Sequence, residues 1–201
     1  MSEMYEAERK LREQGYSAVC GVDEAGRGPL AGPVYAAAVI LPAGYELDGV
    51  NDSKKLTERR REALFAHLIR EVPFGIGIAD EREIDELNIL NATYLAMRRA
   101  ILNLPTPPDY ILIDGNRAPA ELPAPCETII GGDGKVAAIA AASIIAKVSR
   151  DRFMLELAER FPQYGFEKHK GYGTKQHYEA LKAYGISEVH RRTFLKNLSE
   201  K

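Results

Sequence analysis

The stretch Cys20-Gly21-Val22-Asp23-Glu24-Ala25-Gly26-Arg27-Gly28-Pro29 most constrains what this chain can fold into. An apolar run from Val19 to Val22 leads straight into two adjacent carboxylates. A Gly-Arg-Gly-Pro turn follows, then a second apolar run from Val34 to Leu41. The pattern reads as strand, sharp turn, strand. Carboxylates at the end of a buried strand must find a cation, a hydrogen-bond donor or water. Two glycines beside them leave bare backbone that a ligand can approach closely. A metal and a polar substrate would suit such a corner together. The simpler alternative is a β-hairpin with a solvated acidic tip. In a regular strand Asp23 and Glu24 point to opposite faces, so joint service at one site requires the strand to end or bulge there.

At 201 residues the chain is expected to form a single domain over 1–201, with an N-terminal helix in 1–16 and a C-terminal helical extension over about 162–201. The apolar runs are too short to cross a bilayer, which excludes a membrane partner. The mixed charges of Met1 to Gln14 do not resemble a signal peptide. Cys20 and Cys126 show no metal-ligand spacing and point to a reducing, cytoplasmic setting. The net charge of −2 argues weakly against nucleic acid, but the distribution does not. From Lys147 to Lys201 there are 12 Lys and Arg against 7 Asp and Glu, so the rest of the chain is acidic. An acidic site flanked by a basic arm suits a metal-dependent enzyme acting on phosphodiesters; a helical tail with a solvated basic face is the alternative.

In order along the chain, the spacing predicts a short helix over 3–14, strands over 19–24 and 34–41, and a polar turn over 51–55. Thr57 then caps a helix over 58–70. A strand is expected over 73–79, and a long helix over 86–104 that buries Leu87, Leu90, Tyr94, Met97 and Ile101. Strands follow over 110–113 and 127–130. A helix over about 135–161 is apolar all round in its first half, and so must be buried on most sides. A loop holding His169-Lys170-Gly171-Tyr172-Gly173-Thr174 precedes a helix over 175–184. Interleaved strands and helices indicate an α/β fold with a central mixed sheet flanked by helices.

Three acidic points share one context. Asp23–Glu24 and Asp114 each end a strand, and Asp133 stands between a strand and a helix. Ligands of open α/β sheets collect at the carboxyl ends of strands. Carboxylates converging there repel one another unless cations intervene. Oxygen-only donors favour Mg²⁺ or Mn²⁺, and two such ions roughly 4 Å apart suit phosphodiester cleavage. Each residue has a plainer role open to it. Asp114 before Gly115 opens a turn, Asp133 serves as an N-cap, and Lys147 pairs with Asp151 at i, i+4. The common placement of all the acids favours function.

These residues resemble the type 2 ribonucleases H, bacterial ribonuclease HII. The first block is Gly21 to Pro29; Asp52-Ser53-Lys54-Lys55-Leu56 is similar to the second and Ile113-Asp114-Gly115 to the third. Gly132-Asp133 with Ile139 to Val148 is similar to the fourth, and His169 to Thr174 to the fifth. The resemblance implies a ribonuclease H-like fold with a C-terminal helical extension. It implies an endonuclease that hydrolyses RNA in RNA–DNA hybrids and incises 5′ to single ribonucleotides in duplex DNA, leaving 5′-phosphate and 3′-hydroxyl ends. Asp23, Glu24, Asp114 and Asp133 would then hold two divalent ions, Mn²⁺ or Mg²⁺. Backbone groups of Gly26, Arg27 and Gly28 would meet the 2′-hydroxyl, and Tyr172 would pack on the next sugar. Ser53, Lys54, Ser143, Lys147 and Lys170 would contact phosphates. A monomer is expected; a sliding-clamp partner is allowed, although the tail after Phe194 carries no clear clamp peptide. The rival classes are an α/β binding module without metal-dependent cleavage and another nuclease that ignores the 2′-hydroxyl.

Overall fold

A computed structural model describes residues 3–47 and 56–196. Five strands build the sheet: β1 (Val19–Ala25), β2 (Val34–Ile40), β3 (Phe74–Ala79), β4 (Tyr110–Asp114) and β5 (Cys126–Ile129). Seven α-helices are seen among the described residues: α1 (Glu6–Glu13), α2 (Glu58–Glu71), α3 (Glu81–Leu87), α4 (Ile89–Leu102), α5 (Ala137–Arg160), α6 (Phe166–His169) and α7 (Lys175–Tyr184). The strand order is β3-β2-β1-β4-β5. The β1–β2 and β2–β3 pairs are antiparallel, and β1–β4 and β4–β5 are parallel. This is the mixed sheet the alternation of elements predicts.

Side chains of alternate residues feed two cores. Cys20 and Val22 pack toward α4 with Ala36, Ala38, Ile111 and Ile113. On the other face Ala37 and Val39 meet the apolar first half of α5 and the buried stripe of α2. Burial on that scale is the main stabilising term. The helix α5 lies unusually close to β1. A Cβ on Gly21 would fall 2.2 Å from the backbone carbonyl carbon of Ala138, so only glycine fits there. The alanines Ala137 to Ala142, all buried, allow the same approach from the helix side.

Two boundaries differ from the expected ones. The helix expected over 86–104 is two helices, broken at Asn88, which adopts φ 68° and whose side chain accepts hydrogen bonds from the Leu90 and Asn91 amides. Asp80 and Glu83 begin the first of them with a reciprocal capping box, whose D-x-x-E signal is present in the sequence beside the stronger apolar period of α4. The 135–161 helix begins at Ala137 after a 3₁₀ turn at Gly132–Gly134, and its N-cap is Val136. Asp133 is therefore not a helix cap. Thr57 does cap α2, accepting the Arg60 amide at 3.3 Å.

Candidate active site

Register brings the acids together. The last paired residues of β1 and β4 are Val22 and Ile113, so Asp23 and Asp114 are the next step along two neighbouring parallel strands. Asp114 shares its face with Leu112, which packs against Val136 and Ile139 at the start of α5; Asp23 shares its face with Gly21, which abuts the same helix. The β1–β2 ladder runs unbroken through Ala25 without a bulge. Asp23 and Glu24 thus do point to opposite faces. The strand ends only on its β4 side, which is enough to expose both carboxylates to Asp114.

Asp23 is buried and strongly uncomfortable as an anion. Burial raises its pKa well above the usual carboxylate range, and the charges of Glu24 and Asp114 raise it further, against hydrogen bonds from Ser143 and the Glu24 amide. That amide donates to Asp23 Oδ1 at 2.7 Å. Burial also raises Glu24, opposed by Arg27, whose guanidinium donates to Glu24 Oε1 at 3.2 Å. Asp114 Oδ1 accepts the Gly132 amide at 2.6 Å. Asp133, buried, is the next residue along, so one amide ties its turn to Asp114.

The donor set is chemically suited to a hard divalent cation: oxygen-only, partly buried and mutually repulsive. Among the described residues, however, no three His, Cys, Asp or Glu side chains form a group placed to hold a metal ion. Asp23, Glu24 and Asp114 form an open acidic rim, with Arg27 holding the positive charge beside Glu24.

A groove of about 390 Å³ opens beside Glu24, the one of the four acids that lines it, together with Gly26, Arg61, Ser143, Lys147 and Tyr172 among others. Gly26 has φ 95°, and a Cβ there would lie 2.0 Å from Arg150 Nε. A Cβ on Gly28 would sit 3.4 Å from Tyr172 Cε1, so the glycine turn and the 45 % exposed tyrosine ring face each other. Lys147 lines the groove while pairing with Asp151 at 2.6 Å. Lys170 donates to the Glu167 carbonyl at 2.5 Å and lies outside this groove, lining a separate small hollow with Arg152 and Leu155. Ser53 and Lys54 lie outside the described residues.

Sequence reasoning missed two buried arginines that shape the turn. Arg191 donates to the carbonyls of Gly26 at 2.6 Å, Arg27 at 3.0 Å and Gly32 at 2.7 Å. Arg150 donates to Pro33 at 3.0 Å, Lys170 at 3.1 Å and Ala31 at 3.2 Å. Burial, and then repulsion from Arg150, push Arg191 down to about 9. Both belong to the basic C-terminal part, where the sequence suggests either a phosphate-binding arm or a solvated basic face; these two arginines are neither, being buried. Nothing local in the sequence separates a buried arginine from an exposed one.

The family model described as Ribonuclease HII matches residues 20–197. The ribonuclease HII of Caldicellulosiruptor bescii is 53% identical over 195 residues, covering 96% of this chain and 94% of that protein. The chain belongs to the ribonuclease HII family. Among solved structures, the ribonuclease H2 of Pyrococcus horikoshii aligns with a TM-score of 0.72 at 31% identity, over 87% of this chain and 92% of that one. The ribonuclease HII of Archaeoglobus fulgidus, solved in complex with PCNA, aligns at 0.70 with 27% identity, over 87% and 93%. The fold is therefore ribonuclease H-like, and the chain is a hydrolytic endonuclease with ribonuclease H activity. No helix among the described residues is long and apolar enough to cross a membrane.

Proposed function

We propose that this protein cleaves the RNA strand of RNA–DNA hybrids and incises 5′ to single ribonucleotides embedded in duplex DNA, in ribonucleotide and RNA-primer removal. The observation that carries the reading is the juxtaposition of the carboxylate rim with a bare glycine turn and a facing tyrosine. One position of a nucleic acid is marked as RNA only by its 2′-hydroxyl. The Gly26–Gly28 backbone can approach a sugar at hydrogen-bond distance, and the Tyr172 ring offers a flat surface for the adjoining sugar. Asp23, Glu24, Asp114 and Asp133 would hold Mn²⁺ or Mg²⁺. When bound, a pair of such ions supplies an activated water and charge stabilisation for the leaving 3′-oxygen. Residues of this chain do the rest. Ser143 holds the Asp23 carboxyl in place, the Gly132 amide holds Asp114, and Arg27 balances Glu24. Lys147 and Lys170 are the cations assigned to phosphates. The protein is taken to act as a monomer in the cytoplasm, and the Archaeoglobus complex supports a sliding clamp as a partner.

The test is cleavage of a labelled DNA duplex with one ribonucleotide, beside an all-DNA duplex and a continuous hybrid, with and without Mn²⁺ or Mg²⁺. Metal-dependent incision 5′ to the ribonucleotide is expected, with the all-DNA duplex intact. Sites built around a substrate hydroxyl reject the deoxy analogue by about 10⁴-fold or more. Equal cutting of the all-DNA duplex would end this reading. Tyr172→Ala should slow the single-ribonucleotide substrate more than the continuous hybrid. Equal slowing of both with a lower melting temperature would make Tyr172 a structural residue.

A further inference from the structure

Three buried histidines lie under the Tyr172 loop: His169 at the end of α6, His177 in α7 and His190 in the C-terminal segment. The rings of His169 and His177 stack at 4.6 Å and 17°. Their hydrogen bonds fix every tautomer. His177 Nδ1 is 2.9 Å from the Tyr172 carbonyl oxygen, which can only accept, so Nδ1 carries the hydrogen. The neutral ring then presents a bare Nε2, 3.1 Å from His190 Nε2. His190 must donate from that atom, which leaves its Nδ1 bare. There it accepts the Ser187 amide at 3.1 Å and the Ser187 hydroxyl at 2.7 Å. His169 Nε2 donates to the Tyr164 carbonyl at 2.9 Å, and its Nδ1 accepts the Gly171 amide at 3.3 Å.

All six ring nitrogens are used, each in one role. An added proton would meet a donor at each bare nitrogen: His190 Nε2–H, the Ser187 amide, or the Gly171 amide. The network is therefore compatible only with three neutral imidazoles. Burial lowers the pKa of all three rings, which accords with the geometry.

What the network grips is the backbone on both sides of the Tyr172 ring, the Gly171 amide and the Tyr172 carbonyl. Its far end, His190, precedes Arg191, whose guanidinium holds the Gly26 and Arg27 carbonyls. Leu30 closes the circuit, its amide donating to the Gly171 carbonyl at 2.8 Å and its carbonyl accepting the Arg191 amide at 2.9 Å. A purely apolar core would exclude water as well but would leave the Gly171 amide unpaired and the Tyr172 carbonyl with the Thr174 amide alone, at 2.8 Å.

We propose that His169, His177 and His190 are positioning residues for ribonucleotide recognition, a relay of neutral imidazoles that fixes the Tyr172 loop relative to the Gly26–Gly28 turn. The proposal rests on the reading of Tyr172 as the sugar contact. The test exploits side-chain geometry. His177→Asn puts an amide N–H near the place of Nδ1–H and keeps the bond to Tyr172. His177→Gln reaches toward His190 instead and loses that bond. Single-turnover cleavage of a duplex with one ribonucleotide should stay within about threefold of wild type for His177→Asn and fall about tenfold or more for His177→Gln, since small displacements of a positioning group are costly. On a Tyr172→Ala background, His177→Gln should add almost nothing, because the two act through one contact. Ser187→Ala, which removes only the hydroxyl donor to His190, is the milder variant should His177→Gln fail to fold. It should slow the wild type a few-fold and leave Tyr172→Ala unchanged. Equal losses in Asn and Gln, or full additivity with Tyr172→Ala, would overturn the relay. If Tyr172→Ala is slow but His177→Gln and Ser187→Ala are as fast as wild type, the relay alone is wrong. If Tyr172→Ala cleaves at the wild-type rate, the sugar-contact reading is wrong and the proposal falls with it.

Discussion

At the scale of single residues, the site is a set of groups that would be unstable elsewhere. Asp23 is buried beside two like charges, and Asp114 supplies one of them. Asp114→Asn should therefore abolish cleavage and leave the metal-free protein at least as stable as wild type, because repulsion on Asp23 and Glu24 is relieved. Steady-state cleavage at saturating metal, together with thermal melting in chelator, checks both halves; normal turnover would remove Asp114 from the site. Gly26 is constrained in another way. With φ 95° and Arg150 Nε only 2.0 Å from where a Cβ would stand, Gly26→Ala must move either the turn or the guanidinium. Backbone strain alone costs about 1–3 kcal/mol, read as a lower urea midpoint, and loss of ribonucleotide preference should accompany it. An unchanged midpoint would show that the turn has room to spare.

At the scale of elements, α5 and the segment from α6 to His190 do different work. The first half of α5 is a wall. It lies so close to β1 that Gly21→Ala should push the helix outward, at a cost of at least about 1–3 kcal/mol. Chemical denaturation measures it, and a smaller loss would mean that helix and strand separate easily. The second element carries the three histidines, and here the sign of a pH effect can be worked out. His190 is pushed from the ordinary 6.5 down to about 4 by burial and then by His177. The unfolded chain takes up a proton that the folded chain refuses, so this group lowers stability as pH falls from about 6.5 toward 4 and adds nothing further below. His177 and His169 act in the same direction, His169 being faced by Glu167 and Lys170, and Arg191 is the cation next along the chain from His190. Asp23 and Glu24, with raised pKa values, act in the opposite direction as they gain protons. Comparing wild type with His190→Gln cancels that opposing part. The melting-temperature advantage of wild type should shrink between pH 7 and pH 4.5; a constant difference would mean that His190 is not held neutral.

At the scale of the whole molecule, charge is divided between an acidic strand end and a basic C-terminal part. Neutralising Lys147 and Lys170 together should weaken binding to a hybrid and flatten its salt dependence by about 1 unit of log–log slope per lost phosphate contact. The present partners of both lysines are weak competitors. Lys147–Asp151 is a partly exposed i, i+4 pair and the Lys170 partner is a neutral carbonyl, so neither excludes phosphate. An unchanged slope would show that these lysines do not face the nucleic-acid backbone.

The sequence by itself determined the strands, their order along the chain, the acidic residues at the strand ends and the glycine turn between them. These are local patterns: alternating or continuous apolar runs, breakers and caps act over a few residues, and five matching blocks made the family legible. The fold class followed from the interleaving of elements. Tertiary structure alone decided which acids meet. The pairing of Val22 with Ile113 sets Asp23 beside Asp114, and register is a property of two segments about 90 residues apart. It also decided that Arg150 and Arg191 are buried struts rather than a solvated basic face, and that three histidines from separate segments close into one neutral network. Burial and partner choice depend on what packs from the far end of the chain, and no local window of sequence contains that information.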